Sequence, residues 1–105
     1  MAWIYLLAAG VLEIVWAFAM KQSDGFSKLT PSIITIAGMI ASFWLLALAM
    51  RTLPLGTAYT IWTGIGAVGA FVIGIVFLGE HVSAMRIAAA VLIVSGLVLM
   101  KVSSA

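Results

Sequence analysis

The chain has 105 residues, of which 66% are hydrophobic and 8% are charged. Soluble domains carry about 25% charged residues, so this composition excludes a water-soluble globular protein. The net charge of +2 comes from only a few charged side chains and does not indicate nucleic-acid binding. With no cysteine, one histidine and three acidic residues, the sequence has no disulfide and no usual set of metal ligands, and we expect no cofactor.

Four apolar segments are long enough to cross a bilayer as α-helices, because about 20 residues span its hydrocarbon core. Together they predict a single all-α membrane domain over residues 1–105, with helices at about 2–20, 31–50, 56–78 and 84–100. Three short polar connectors separate the spans. Pro31 suits the start of the second helix, and the Leu53-Pro54 pair ends that apolar segment.

The first span carries Glu13 near its centre, in the segment GVLEIVWAF. An ionisable residue inside a membrane span is costly and by default marks a substrate, ion or proton site. At helical spacing from Glu13 lie Gly10 and Ala17, which leave room for a ligand or a close helix. Trp16, one turn further on, offers an aromatic face and one N–H donor. The alternative interpretation is a protonated Glu13 that bonds a neighbouring helix.

A secretory signal peptide is the competing interpretation of this first span, because the AFA sequence at 17–19 imitates a cleavage site. The segment lacks a basic leading region, is too long, and is interrupted by Glu13. We therefore expect the first span to remain in the mature protein.

The second and third spans add polar and aromatic groups near mid-membrane. Ser42 lies near the middle of the second span, where a hydroxyl either bonds its own backbone or serves the site. In the third span Tyr59, Trp62 and Thr63 stand at helical spacing. With Trp16, the two aromatic residues can form part of a box beside a carboxylate, an arrangement that holds organic cations.

Glycines are dense in the third span, and the fourth span lacks a central charge. Gly64, Gly66 and Gly69 predict close helix packing or, as a cluster, a hinge for alternating access. In the fourth span a face of small and aliphatic residues predicts a contact between subunits. Its members are Ala89, Leu92, Ile93 and Gly96.

The basic residues are almost evenly divided between the two membrane sides. Four spans place Arg51 and Lys101 on one side and Lys21, Lys28 and Arg86 on the other. Because the Lys and Arg bias orients a membrane protein, so small a bias allows insertion in either direction. The sequence also lacks the inverted repeat around which transporters commonly build a site, which two antiparallel copies would supply. A parallel dimer or a fixed topology remains the alternative.

Four short spans, the lone Glu13 and the segment GTAYTIWTGIGAVG resemble the small multidrug resistance family over essentially the whole chain. VLEIVWAF with Trp16, together with Ser42 and IWTGIGAVG, is similar to its guanidinium-exporting branch. The resemblance implies a proton-coupled antiporter for guanidinium and small substituted guanidinium cations in the bacterial inner membrane. It also implies an antiparallel, dual-topology homodimer in which protons and substrate compete for two facing Glu13 carboxylates.

The same resemblance assigns roles to the remaining candidate residues. It implies a site lined or supported by Trp16, Ser42, Tyr59, Trp62 and Thr63, a hinge at Gly64, Gly66 and Gly69, and a dimer held by the fourth spans. We expect Trp16 and Ser42 to orient the carboxylates through hydrogen bonds. Two alternatives stay open: a promiscuous exporter of quaternary ammonium and other bulky cations, and a structural or regulatory membrane subunit. An enzyme is not expected, because no nucleophile–base constellation is present.

Overall fold

The computed structural model describes residues 1–103, which form four α-helices. All four are long and apolar enough to cross a membrane, which confirms the predicted all-α, multi-pass architecture. The first helix ends two residues later than predicted and the second begins two residues earlier. The helices are α1 (Ala2–Gln22), α2 (Leu29–Ala49), α3 (Leu55–Leu78) and α4 (Ala84–Ser103).

Proline and glycine mark the helix ends, with one difference from the sequence-based expectation. α2 begins at Leu29, so Pro31 is its third residue. The first-turn amides of a helix have no intrahelical acceptor, and a proline there breaks no hydrogen bond. Pro54 directly precedes α3, and Gly79 ends that helix with a left-handed φ of 66°.

The core lies where α1, α2 and α3 meet, because α1 packs against both α2 and α3. α4 packs mainly on α3, and its Lys101 lies over the Trp3 ring of α1, with Nζ 4.3 Å from the ring centroid. The core side chains are small or aliphatic apart from one indole ring. They are Leu6, Ala9, Leu46, Ala49, Ala58, Ile61 and Trp62.

α4 exposes most of its apolar side chains, although Leu97 and Met100 pack against the core. Within Ala84–Ser103 no residue is buried, and Leu92 is 72% exposed. Ala89, Ile93 and Gly96 are exposed on the same helix. In a single chain the predicted subunit contact is therefore uncovered, and its role in a dimer stays a prediction.

Candidate functional site

Glu13 lies in the middle of α1, and its side chain packs on Gly66 of α3. A Cβ atom added to Gly66 would collide with the Glu13 carboxylate. The Oε1 atom of Glu13 is buried and has no hydrogen-bond partner among residues 1–103. A buried acceptor without a partner is costly, so this oxygen is available for a group from outside these residues.

The small residues around Glu13 bring helices together. Gly10 faces Ile65 of α3, where a Cβ would lie 2.9 Å from the Ile65 Cβ. Gly38 of α2 faces Trp16, and a Cβ there would lie 2.9 Å from the Trp16 Cβ. The Nε1 atom of Trp16 is also buried and, within the described part of the chain, has no hydrogen-bond partner, like Glu13 Oε1 one turn away. A free donor and a free acceptor thus lie on one stretch of α1.

Ser42 joins three helices through its hydroxyl group. Its Oγ donates to the carbonyl oxygen of Ala9 in α1 at 2.7 Å and accepts from Trp62 Nε1 in α3 at 3.0 Å. The hydroxyl proton is used on Ala9, so the expected direct bond from Ser42 to Glu13 is not formed in this arrangement. Ser42 instead fixes the indole ring of Trp62, which is 7% exposed.

Ser42→Ala is expected to lower the free energy of unfolding by about 1–3 kcal/mol, because Trp62 Nε1 would remain buried without an acceptor. Reversible unfolding in mixed detergent micelles measures this change. Ser32→Ala is the matched control, since its hydroxyl bonds only the Lys28 carbonyl on the exposed end of the same helix. Equal effects of the two substitutions would contradict a structural link through Ser42.

The predicted aromatic residues form a row, and Phe43 completes it. Ring centroids lie 6.3 Å apart between Trp16 and Phe43, 5.7 Å between Phe43 and Trp62, and 5.6 Å between Trp62 and Tyr59. Sequence analysis missed Phe43 because it is an apolar residue next to Ser42 in a hydrophobic span. Its aromatic ring, adjacent in sequence to the mid-span hydroxyl, was the available signal.

Thr63 lines the groove between α3 and α4, and Glu13 is not part of that lining. This groove encloses about 510 Å³ and is also lined by Tyr59, Leu92, Ile93 and Gly96. The structure thus places two predicted site residues beside three predicted dimer contacts.

The three glycines predicted as a hinge are contact points for other side chains in this structure. A Cβ at Gly64 would collide with Leu97, one at Gly66 with Glu13, and one at Gly69 with Ile14. α3 is a continuous helix through all of them. The structure therefore shows close packing at these glycines, and their role as a hinge stays a prediction.

The sequence profile described as Small Multidrug Resistance protein matches residues 1–104. The chain belongs to the small multidrug resistance family. It is 57% identical to a protein of Escherichia coli K12 and 58% identical to proteins of Citrobacter freundii and Salmonella typhimurium, each named "Guanidinium exporter". Each alignment covers 104 residues, which is 99% of this chain and 99% of the relative. The resemblance found in the sequence is confirmed, and these relatives are transporters by name.

Gly66→Ala tests whether this small multidrug resistance protein needs a side-chain-free surface beneath Glu13. The added methyl group must displace the carboxylate, and we expect the free energy of unfolding to fall by about 1–3 kcal/mol, the usual cost of overpacking. Reversible unfolding in mixed detergent micelles measures the loss.

Gly56→Ala is the control, because no heavy atom lies within 4 Å of its added Cβ. Alanine in a helix is more stable than glycine by about 0.5–1 kcal/mol, so this variant should be at least as stable as the wild type. If Gly66→Ala is as stable as Gly56→Ala, the carboxylate does not need its observed position.

Proposed function

We propose that the protein is a proton-coupled antiporter that exports guanidinium and small substituted guanidinium cations across the bacterial inner membrane. The observation that carries this proposal is the buried, unpartnered Oε1 atom of Glu13 in the middle of a membrane span. An intramembrane carboxylate without a partner in its own chain is suited to a cation that arrives and leaves. The names of the bacterial relatives support guanidinium as that cation.

The chemistry of guanidinium fits a carboxylate flanked by indole rings. Guanidinium is planar and donates N–H bonds in its plane, so carboxylate oxygens accept from it in a bidentate way. The face of an indole such as Trp16 can stack on it as a cation–π contact. A quaternary ammonium ion has no N–H group and gains only charge attraction and aromatic contact.

Exchange with protons follows from mutually exclusive occupancy of Glu13. Ionised Glu13 pairs with the cation, whereas protonated Glu13 has no charge with which to hold it. A proton that enters from one side therefore releases a guanidinium ion, and a guanidinium ion that binds on the other side releases the proton. Antiport requires in addition that the site faces one side at a time, for which we propose that α3 flexes at Gly64, Gly66 and Gly69.

We further propose that two copies form an antiparallel homodimer with the Glu13 residues facing one shared cavity. The balanced placement of basic residues and the absence of an inverted repeat support this arrangement. The outward apolar face of α4, which includes Leu92 and Ile93, is suited to the subunit contact. The second copy also brings polar groups toward the unpartnered Glu13 Oε1 and Trp16 Nε1 atoms.

Proteoliposomes containing purified protein test the proposed activity. An outward guanidinium gradient should drive protons inward, and guanidinium should be transported at least about tenfold faster than tetraethylammonium, since the site is matched to N–H donors. Comparable rates for both cations would favour the promiscuous exporter. No transport of either cation would favour a structural or regulatory subunit.

Dual topology has a direct test at the C-terminus. A cysteine appended after Ala105 has no competitor, because the chain contains no other cysteine. We expect a membrane-impermeant maleimide to label about half of the molecules in sealed, uniformly oriented membrane vesicles, and the rest after permeabilisation. Complete labelling or complete protection before permeabilisation would contradict the antiparallel dimer.

A further inference from the structure

A second cleft opens at the membrane boundary where α1 ends and α4 begins. It encloses about 400 Å³. α3 lines it with the small residues Ala67, Ala70 and Gly74 and with the larger Phe71, Ile73 and Leu78. α1 and α4 both pack on α3, and at this boundary their side chains form the two walls of the cleft.

Two cationic side chains line this cleft, one on each wall. Lys21 is in the last turn of α1 and Arg86 is in the first turn of α4. The guanidinium carbon of Arg86 lies 5.4 Å from the centroid of the Phe71 ring, and its Nη1 donates to the carbonyl oxygen of His81 at 3.2 Å. A guanidinium group has five N–H donors, so this bond leaves donors for an anion.

One acidic side chain also lines the cleft. The Glu80 carboxylate lies against Gly74, where an added Cβ would collide with it. Two cations and one carboxylate leave the cleft with a positive balance. The net positive charge favours an anionic ligand, whereas the site proposed at Glu13 binds a cation.

A smaller, mostly apolar cavity borders the cleft. It has a volume of about 190 Å³, shares Ala67, Phe71 and Arg86 with the cleft, and extends along α3 and α4 to Ile93. Cationic groups at the boundary beside an apolar groove match an amphipathic anion, and basic pockets between membrane helices bind anionic lipid head groups.

We propose that this cleft binds an anionic phospholipid. Its phosphate lies between Lys21 and Arg86, and one acyl chain extends over Ala67 and Ala70 toward Ile93. Glu80 limits the affinity because it repels the phosphate.

Native mass spectrometry of the purified protein, equilibrated with phosphatidylglycerol or phosphatidylcholine, tests this site. Each cation near the surface contributes about fivefold to anionic-lipid affinity, so Lys21→Gln with Arg86→Gln should lower phosphatidylglycerol retention about 25-fold. Glu80→Gln should raise it about fivefold by the same reasoning. Phosphatidylcholine retention should change little in any variant.

The control is Lys28→Gln with Arg51→Gln, which removes the same number of positive charges outside the lining of the cleft. Ala70→Leu, which narrows the cleft, should reduce lipid retention without changing the charge. Equal phosphatidylglycerol retention in the Lys21/Arg86 and Lys28/Arg51 variants would overturn the proposal. So would full displacement of the lipid by inorganic phosphate, or absence of phosphatidylglycerol from the wild-type protein, as expected if a second copy fills the cleft.

Discussion

Glu13→Gln is expected to abolish proton-coupled guanidinium transport while the four helices still form. Glutamine keeps the size of the side chain and its packing on Gly66, but it removes the charge that pairs with the cation and the group that takes the proton. Removal of one partner from a buried charge pair costs about 2–5 kcal/mol, or about 30-fold to 4,000-fold in guanidinium affinity. Transport in proteoliposomes and guanidinium binding by calorimetry measure the two effects.

Asp24→Asn is the matched control for loss of one carboxylate. Asp24 lies in the α1–α2 connection with a φ of 50°, a conformation that asparagine also adopts readily. This variant should transport guanidinium at the wild-type rate. If Glu13→Gln still exchanges guanidinium for protons, the central assignment of Glu13 is wrong.

Trp16→Gly is expected to lower guanidinium transport by about tenfold or more, whereas tetraalkylammonium transport holds or rises. The indole is placed by its contact with Gly38, and its buried Nε1 atom has no partner in the single chain. We expect this donor to orient a carboxylate when the site is assembled. Loss of the indole widens the site and frees the carboxylate. This change lowers the transport of a planar, hydrogen-bonding cation more than that of a bulky cation without an N–H group.

Two further variants separate the hydrogen bond from packing. Trp16→Phe retains a ring but lacks the N–H group, so it should lose most of the guanidinium selectivity if the donor matters. Trp44→Gly removes an indole that is 67% exposed on α2, and it should change the two transport rates equally. Equal losses for both cations in Trp16→Gly would show that this residue only packs.

The number, approximate length and order of the helices can be predicted from the sequence, because each span is a largely apolar segment of bilayer length. The first residue of α2 is harder to predict, since Pro31 is compatible with either the first or the third helical position. The conformation of the turn after α1 is also hidden from sequence patterns. There Ser23 is fully buried, donates to the Met20 carbonyl at 2.6 Å and accepts the amide of Phe26 at 3.0 Å.

The identity of the candidate site residues is more predictable than their contacts. Glu13 stands out because a charge inside an apolar span is costly, and this holds without knowledge of the fold. The partner of Ser42 is not predictable in the same way, because a hydroxyl can bond its own helix or another one. In the structure the Ser42 hydroxyl bonds Ala9 and Trp62, which lie on two different helices.

The hinge and the dimer contact depend on states that one chain in one conformation does not display. Gly66 and Gly69 are close-packing positions here, and the same absence of a side chain suits them for bending in another state. Leu92 and Ile93 are exposed because an apolar face in a membrane span is stable against lipid as well as against a second copy.

Proton release on guanidinium binding tests the central claim most directly, because the account requires that one carboxylate holds either a proton or the cation. Purified protein in weakly buffered detergent solution is mixed with guanidinium at a series of pH values, and the proton concentration and bound guanidinium are recorded together. We predict that binding releases protons and weakens as the pH falls, and that both signals vanish in Glu13→Gln. Guanidinium binding of equal strength at every pH, with no proton released, would contradict the account.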